Sequence, residues 1–544
     1  MPALLTVWLL VVGIVRVRHV PVAGDLAEYL NNGVRLLAGE LPYRDFWLIH
    51  PPGEVLVPAA VFGLGGTINA VLLVGVAISV AAALATYRTG RLATGSRSAG
   101  CVAAALLFFN GVSAHYGSYG YLHAYILCLM VGTEFLLRGL MHNDRRLLLW
   151  SGVAIGAGFC FRLYLSGAAV LAACITVGFA ARQRKATFRE FASLVAWYVA
   201  GTMLAPLLMT VVFWRIAPDL WQAVAFEAVS HATTQRPIYG HQLIEIGADC
   251  VRRFFHLLDH PGNRRHYLDV LNSFSQLAAM GIAHLFPLIL GGIWLSLSPL
   301  RQRLFRGAVR RPQSVAELAL LVSLLWGAAT FVRSVTRGGT PNQLSQSTAP
   351  WCLALVVLTW KAVEEYRRQP ARRTGFVAAT ALVATLGLGQ RAIVDSAEIW
   401  RLREIASCSV VTAGGTLYYD DSARAAEAQG LVDAIECETA PGDFLFVTPD
   451  EAPPLYALTG RRNPTRYDSV IDLVYRPTPE KQRAVAQALC DTRTRLVIHR
   501  PDSDYGGNRQ LGAVESGCPL IADSLRRHFE PVREVGRFTV YRRR

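Results

Sequence analysis

The chain alternates long apolar runs with short, strongly basic connections. A bilayer span needs about 20 mostly apolar residues, and backbone inside lipid must be helical. The pattern predicts an α-helical polytopic membrane protein with about 11 spans, in which the second run is broken at 63–67 into a short lead-in helix and one span. The runs lie at 3–16, 54–87, 99–113, 122–138, 147–161, 164–181, 191–214, 276–298, 314–332, 347–363 and 375–393.

From residue 394 the pattern changes to that of a soluble domain. Short apolar strands are predicted at 444–447, 495–498 and 537–541, and helices at 423–438 and 478–490. Alternating helices and strands favour a small α/β domain with a partly parallel sheet. We therefore predict a transmembrane domain over 1–393 and a C-terminal α/β domain over 394–544.

Charge sets the predicted topology. The chain is 52% hydrophobic and only 17% charged, with a net charge of +15, which excludes an ordinary soluble protein. Twenty Lys and Arg residues lie in five alternate loops, at 88–98, 138–146, 182–190, 301–313 and 361–373, against three in the short loops between them. By the positive-inside rule those five loops and the N-terminus are cytoplasmic. An odd span count then places the C-terminal domain outside, and the charge gives no evidence for a nucleic-acid partner.

Two longer polar loops are predicted on the outer side, at 17–53 and 215–275. The second contains amphipathic stretches at 220–226 and 251–258. These stretches either lie in the plane of the membrane interface or pack as ordinary helices on the bundle.

The first outer loop is rich in acids. Asp25 and Glu28 are three residues apart and share one face of a predicted helix. Asp25 is either the N-cap of that helix, with Glu28 completing a capping box, or a general base that deprotonates an acceptor hydroxyl. The two interpretations are compatible. The loop ends in residues 41–47 and 50–53, where Arg44 and His50 either meet an anionic head group or are ordinary interfacial residues.

The order of these motifs resembles a known family. Asp25 and Glu28, then Pro42-Tyr-Arg-Asp-Phe46 and His50-Pro-Pro-Gly53, are similar to the first outer loop of the glycosyltransferase-C superfamily. The resemblance is to bacterial relatives of the protein O-mannosyltransferase and aminoarabinose-transferase group, and it extends to residues 441–446 and 456–461. No Walker motif, dinucleotide fingerprint or zinc-ligand spacing competes with it.

The resemblance implies a multi-pass, inverting hexosyl- or pentosyltransferase in the bacterial plasma membrane. Its donor would be a polyprenyl-phosphate-linked sugar, and its acceptor an envelope glycan, glycolipid or protein at the outer face. Carried onto this chain, the acidic base is Asp25, with Glu28 as its acidic neighbour and Asp45 as the fallback.

A phosphate leaving group needs cations, and candidates lie at the outer ends of spans. Arg162, with Tyr164 beside it, either binds the donor phosphate or snorkels to head groups. Arg333 and Arg337 precede Gln343, which stands where relatives often have a His.

No cofactor is predicted. A divalent cation is left open, but residues 114–125 contain no acid, only His115 and His123, where many relatives carry one. The competing class is a lipid-linked sugar flippase or transporter, which predicts internal repeats and ionisable residues deep in the bilayer. No duplicated half is visible in the sequence, which favours the enzyme.

Overall fold

The computed structural model describes residues 2–17, 22, 25–48, 51–110, 121–216, 315–336, 341–368, 408–419, 422–440, 442–448, 454–467, 479–500 and 519–544, with isolated positions at 220–221, 248, 251–252, 255, 385 and 389. Up to residue 368 the described elements are helical. They are α1 (Pro2–Val17), α2 (Asp25–Leu37), α3 (Gly53–Gly63), α4 (Ile68–Thr94), α5 (Arg97–Asn110), α6 (Tyr121–His142), α7 (Arg145–Gly158), α8 (Leu163–Gln183), α9 (Phe188–Val212), a 3-10 turn (Trp214–Ile216), α10 (Val315–Thr336) and α11 (Pro341–Arg368).

These helices make the chain a multi-pass membrane protein. Among the described residues, five segments are long and apolar enough to cross a bilayer: Ile68–Thr94, His123–His142, Leu165–Gln183, Phe188–Val212 and Val315–Val332. The break predicted at 63–67 is confirmed, because α3 ends at Gly63 and α4 starts at Ile68. The predicted span at 276–298 lies outside the described residues, and that at 375–393 is described only at residues 385 and 389, so the count of 11 stays a prediction.

Small residues let α7 and α9 pack backbone to backbone. A Cβ on Gly152 would lie 2.1 Å from the carbonyl oxygen of Tyr198, and one on Gly156 would lie 2.4 Å from that of Thr202. On the facing helix, a Cβ on Gly201 would lie 2.1 Å from the Leu149 oxygen. Helices in lipid gain their association from such close contact, since lipid tails are as apolar as leucine side chains.

The end of α9 packs against the first polar loop. Met209, Phe213 and Leu220 share one apolar cluster with Tyr43 and Phe46. The Trp221 indole also donates a hydrogen bond to Thr210 Oγ1 at 3.0 Å. At residues 220–221 the amphipathic stretch therefore packs on the bundle, whereas most of 220–226 and 251–258 lies outside the described residues.

The C-terminal region is a mixed α/β unit. A hairpin, β1 (Cys408–Thr412) and β2 (Gly415–Tyr419), precedes α12 (Ser422–Glu438), β3 (Phe444–Thr448), α13 (Leu455–Thr459), α14 (Pro479–Cys490), β4 (Thr494–His499), α15 (Pro519–His528), β5 (Phe529–Val535) and β6 (Phe538–Arg543). The four-stranded sheet has the order β3-β4-β6-β5. Strands β3 and β4 run parallel and the other neighbours antiparallel, which confirms the predicted partly parallel sheet.

The hairpin is seated on the start of α4. The Ile68 N–H donates to the carbonyl oxygen of Gly414 at 3.1 Å. Gly415 has φ +139, and a Cβ there would lie 3.1 Å from Asn69 Oδ1 and 3.2 Å from Ile68 Cβ, so the tight turn and the close approach both favour a glycine. The C-terminal region therefore rests directly on the helical region.

Candidate functional site

Helix α2 presents a polar side and an apolar side. Asp25, Glu28, Asn32 and Arg35 recur at intervals of three and four residues and share one face. The opposite face packs on α3, where a Cβ on Gly33 would lie 2.7 Å from Pro58 Cβ. Asp25 is the first residue of α2, and its side chain lies outside the described residues, whereas Glu28 is half-buried. The shared face predicted for Asp25 and Glu28 is confirmed at the level of the helix.

Arg35 ties the end of α2 to the loop that follows. Its side chain is only 7% exposed. Its Nε lies 2.6 Å from Glu40 Oε2, and its Nη2 donates to the carbonyl oxygen of Asp45 at 2.8 Å. The guanidinium also lies 5.1 Å from the centre of the Phe46 ring. One buried cation thus fixes Glu40 and the turn at 42–46, a role that the sequence pattern did not indicate.

Residues 41–46 form a compact turn in which Arg44 and Asp45 pair with each other. Arg44 Nη2 lies 2.5 Å from Asp45 Oδ2, and Arg44 Nε donates to Oδ1 at 2.9 Å. Asp45 Oδ2 also accepts the Leu41 N–H at 2.8 Å. The hydrogen bonds from Arg44 hold the pKa of the Asp45 carboxyl below its usual value, and that from Leu41 adds to the effect. A carboxylate held this way is a weak base, which favours Asp25 and Glu28 for proton removal.

Gly53, the last residue of the His50-Pro-Pro-Gly53 motif, contacts the connection between α7 and α8. His50 lies outside the described residues, but the Gly53 N–H donates to the carbonyl oxygen of Cys160 at 2.8 Å. A Cβ on Gly53 would lie 2.4 Å from that oxygen. Only glycine fits this approach. The next residue, Glu54, is 2% exposed, so the motif also buries a carboxylate that the sequence pattern did not single out as functional.

Arg162 lies two residues beyond Cys160 and is 1% exposed. It stands directly before α8, and its N–H donates to the Gly158 oxygen at 2.8 Å. An arginine that snorkels to head groups keeps its guanidinium on the protein surface, so the burial of Arg162 contradicts the snorkelling interpretation. A buried guanidinium must be compensated by partners or by an anionic ligand.

Polar and aromatic side chains surround this connection. A Cβ on Gly158 would lie 2.8 Å from Ser166 Oγ and 3.5 Å from the Tyr125 ring. Ser166 Oγ is buried and has no hydrogen-bond partner among the described residues. His123 is buried at the start of α6. The start of α6, the end of α7 and the start of α8 therefore converge beside the end of the first loop.

The remaining predicted phosphate partners stay predictions. Arg333 lies in α10 and Gln343 in α11, but their side chains, like that of Tyr164, are outside the described residues. Arg337 and His115 fall in segments that are not described. In the described part of the chain, no three His, Cys, Asp or Glu side chains cluster at metal-binding distance.

The C-terminal region completes the surroundings of the first loop. Asn31 Oδ1 accepts the Ala457 N–H at 3.1 Å, inside the 456–461 motif. The Trp47 N–H donates to the Arg466 oxygen at 2.7 Å, and Arg466 Nη2 donates to the Tyr43 oxygen at 2.5 Å. Helix α2 and the turn at 42–46 are thus held between the helical bundle and the C-terminal region, which lies more than 400 residues further along the chain.

The overall fold of the chain has counterparts among solved structures. The crystal structure of ArnT from Cupriavidus metallidurans bound to undecaprenyl phosphate matches the chain with a TM-score of 0.53 and 12% identity, covering 99% of this chain and 97% of ArnT. ArnT in the apo state matches with a TM-score of 0.50, 13% identity and the same coverage. The fold resembles that of ArnT from end to end.

The match shows that the chain has an ArnT-like fold. At 12–13% identity the match shows the fold alone. No protein-family model matches the sequence, and no curated protein matches it.

Proposed function

We propose that this protein is a membrane glycosyltransferase that moves a sugar from a polyprenyl-phosphate donor to an envelope glycan, glycolipid or protein. The observation that carries the proposal is the similarity of fold, over nearly the whole of both chains, to a protein whose crystal structure holds undecaprenyl phosphate. The buried Arg162 beside the end of an acidic loop supplies the chemistry that such a donor needs.

The reaction would be an inverting displacement at the anomeric carbon. Asp25 takes the proton of the acceptor hydroxyl, with Glu28 one turn away on the same helix, while the acceptor oxygen bonds to the anomeric carbon. The bond between that carbon and the phosphate oxygen breaks, and polyprenyl phosphate leaves with both electrons. The pairing of Arg44 with Asp45 and the lowered pKa of Asp45 make it the weaker candidate for the base.

The leaving phosphate carries charge that a cation stabilises best where water is excluded. Arg162 meets this requirement through its burial. We assign Arg333, Arg337, His50, Arg44, Tyr164 and Gln343 as further donor-binding residues on sequence grounds. The basic loops support a cytoplasmic N-terminus and a reaction at the outer face of a bacterial plasma membrane.

The proposal is tested on the purified full-length protein. We expect co-purified polyprenyl-phosphate lipid, identified by mass spectrometry, and transfer of labelled sugar from a lipid-linked donor to an envelope fraction. Asp25→Asn should abolish the transfer, while Asp433→Asn, a change of one exposed carboxylate on α12, should not. Movement of the lipid-linked sugar across liposomes without transfer would instead identify a flippase, and full activity of Asp25→Asn would remove Asp25 as the base.

A further inference from the structure

Two adjacent asparagines on α2, Asn31 and Asn32, are both buried but differ in their hydrogen bonding. Asn31 Oδ1 accepts the backbone N–H of Ala457 at 3.1 Å, so it joins α2 to the C-terminal region. Asn32 is 0% exposed, and neither its Oδ1 nor its Nδ2 has a hydrogen-bond partner among the residues that the structure describes.

An unpaired buried amide is unfavourable for the fold. The large majority of buried side-chain polar atoms in native proteins are paired, because an amide loses its bonds to water when it is buried. Asparagine is also a poor residue for a helix interior, because its side chain competes with the backbone for hydrogen bonds. A leucine of similar size would stabilise α2 better. Since none of the described residues pairs with the Asn32 amide, a bound ligand is the candidate partner.

The position of Asn32 indicates where that partner lies. It follows Glu28 by four residues and Asp25 by seven, and it precedes Arg35 by three, so all four occupy one face of the helix. This is the face that carries the proposed base. A ligand that reaches Asn32 therefore lies along the same side of α2 as the reacting hydroxyl.

The chemistry of the amide selects the part of the donor that it binds. An amide offers two N–H donors and a carbonyl acceptor. Phosphate oxygens only accept at neutral pH, so a phosphate would leave Asn32 Oδ1 unsatisfied, and a polyprenyl chain would satisfy neither atom. Neighbouring hydroxyls of a sugar ring both donate and accept, and they satisfy the whole amide.

We propose that Asn32 is a sugar-binding residue, which holds hydroxyls of the donor sugar while the donor phosphate lies toward Arg162. This inference rests on the proposed function and adds a residue that selects the sugar. Asn32 is 0% exposed, so a sugar reaches its amide only after the side chains packed around α2 move apart.

The experiment compares Asn32→Leu with Asn31→Leu in the full-length protein in detergent. Without ligand, Asn32→Leu should melt at or above the wild-type temperature, because it removes an unsatisfied amide, whereas Asn31→Leu should melt lower, because it leaves the Ala457 N–H without its partner. The probes are undecaprenyl phosphate alone and undecaprenyl phosphate linked to a hexose, a pentose or an aminopentose.

In the wild type we expect one sugar-linked lipid to raise the melting temperature more than undecaprenyl phosphate does. Asn32→Leu should keep the rise with undecaprenyl phosphate, lose the extra rise due to the sugar, and lower kcat/KM about tenfold or more. Asn32→Asp, which keeps the size and removes the donors, should behave likewise toward the sugar.

Two results would overturn the inference: an unchanged sugar increment in Asn32→Leu, or a ligand-free melting temperature as low as that of Asn31→Leu. The first would leave the proposed function intact, because the wild type would still distinguish sugar-linked lipid. Absence of any response of the wild type to all four lipids would refute the proposed function itself and, with it, the role of Asn32.

Discussion

The side-chain amide of Asn69 holds the backbone of Thr416 by two hydrogen bonds. Its Nδ2 donates to the Thr416 carbonyl oxygen at 2.8 Å, and its Oδ1 accepts the Thr416 N–H at 2.7 Å. Since Asn69 lies in the first turn of α4 and Thr416 in β2, this pair fastens the hairpin of the C-terminal region to a predicted span.

Replacing Asn69 with leucine should release the hairpin. Two neutral, partly buried hydrogen bonds contribute about 1–3 kcal/mol together. Hydrogen exchange of the amides at 408–419 should become faster in Asn69→Leu, while exchange in α12 changes less. Asn69→Asp keeps the acceptor and loses the donor, so its exchange rate at 408–419 should lie between those of the wild type and Asn69→Leu. Unchanged exchange at 408–419 would show that other contacts seat the hairpin.

Arg466 should control the order of the turn at 42–46. It donates to the Tyr43 oxygen and lies 5.9 Å from the centre of the Trp47 ring. Arg466→Ala removes both contacts, so protease cleavage within 41–48 should become faster by several-fold and transfer activity should fall. Arg466→Lys, which keeps the charge but not the planar fork, should restore little. An equal cleavage rate in the wild type and Arg466→Ala would contradict this role.

Asp45 should make the stability of the first loop depend on pH. Its pKa is lowered in the folded chain, mainly by the hydrogen bonds from Arg44, so its contribution is complete above the unfolded pKa of about 3.9 and is lost as the pH falls through the lower folded value. The cleavage rate within 41–48 should therefore be higher in Asp45→Asn than in the wild type at pH 5–8, and the difference should start to shrink as the pH falls below about 4. A difference that stayed constant down to pH 3 would exclude ionisation of Asp45 as the cause.

The contact between α7 and α9 should tolerate no added methyl group. Gly152→Ala would place its Cβ on the Tyr198 oxygen, at a separation of 2.1 Å before any shift. We expect a loss of several kcal/mol, seen as a lower melting temperature in detergent. Gly167→Ala is the matched control, because nothing lies within 4 Å of its Cβ and alanine favours a helix interior by up to about 1 kcal/mol. Equal effects of the two variants would contradict the close packing.

Much of the fold could be predicted from the sequence because its signals are local. Apolar runs bounded by basic loops gave helices whose ends agree with the structure within a few residues where it describes them, as for α6 and α8. The strands at 444–448 and 494–499 are buried apolar runs and were equally visible. The hairpin at 408–419 and strand β5 were missed, since their alternation is short and interrupted by polar residues.

The candidate site could be predicted only in part, because its geometry depends on contacts between distant segments. The spacing of Asp25 and Glu28 shows a shared helix face without structural help. Nothing local distinguishes Asn31 from Asn32, yet one binds Ala457 and the other is enclosed without a partner among the described residues. Likewise, the sequence could not decide whether Arg162 is buried, since burial depends on how distant segments pack around it.

The contacts of Arg466 with Tyr43 and Trp47 determine when the first outer loop can fold during synthesis. The ribosome completes α2 and the turn at 42–46 more than 400 residues before it reaches Arg466. Until then the turn lacks its two hydrogen bonds with Arg466, and Asn31 lacks its hydrogen bond with Ala457. The first outer loop is therefore held in its final form only after Ala457 and Arg466 have been synthesised.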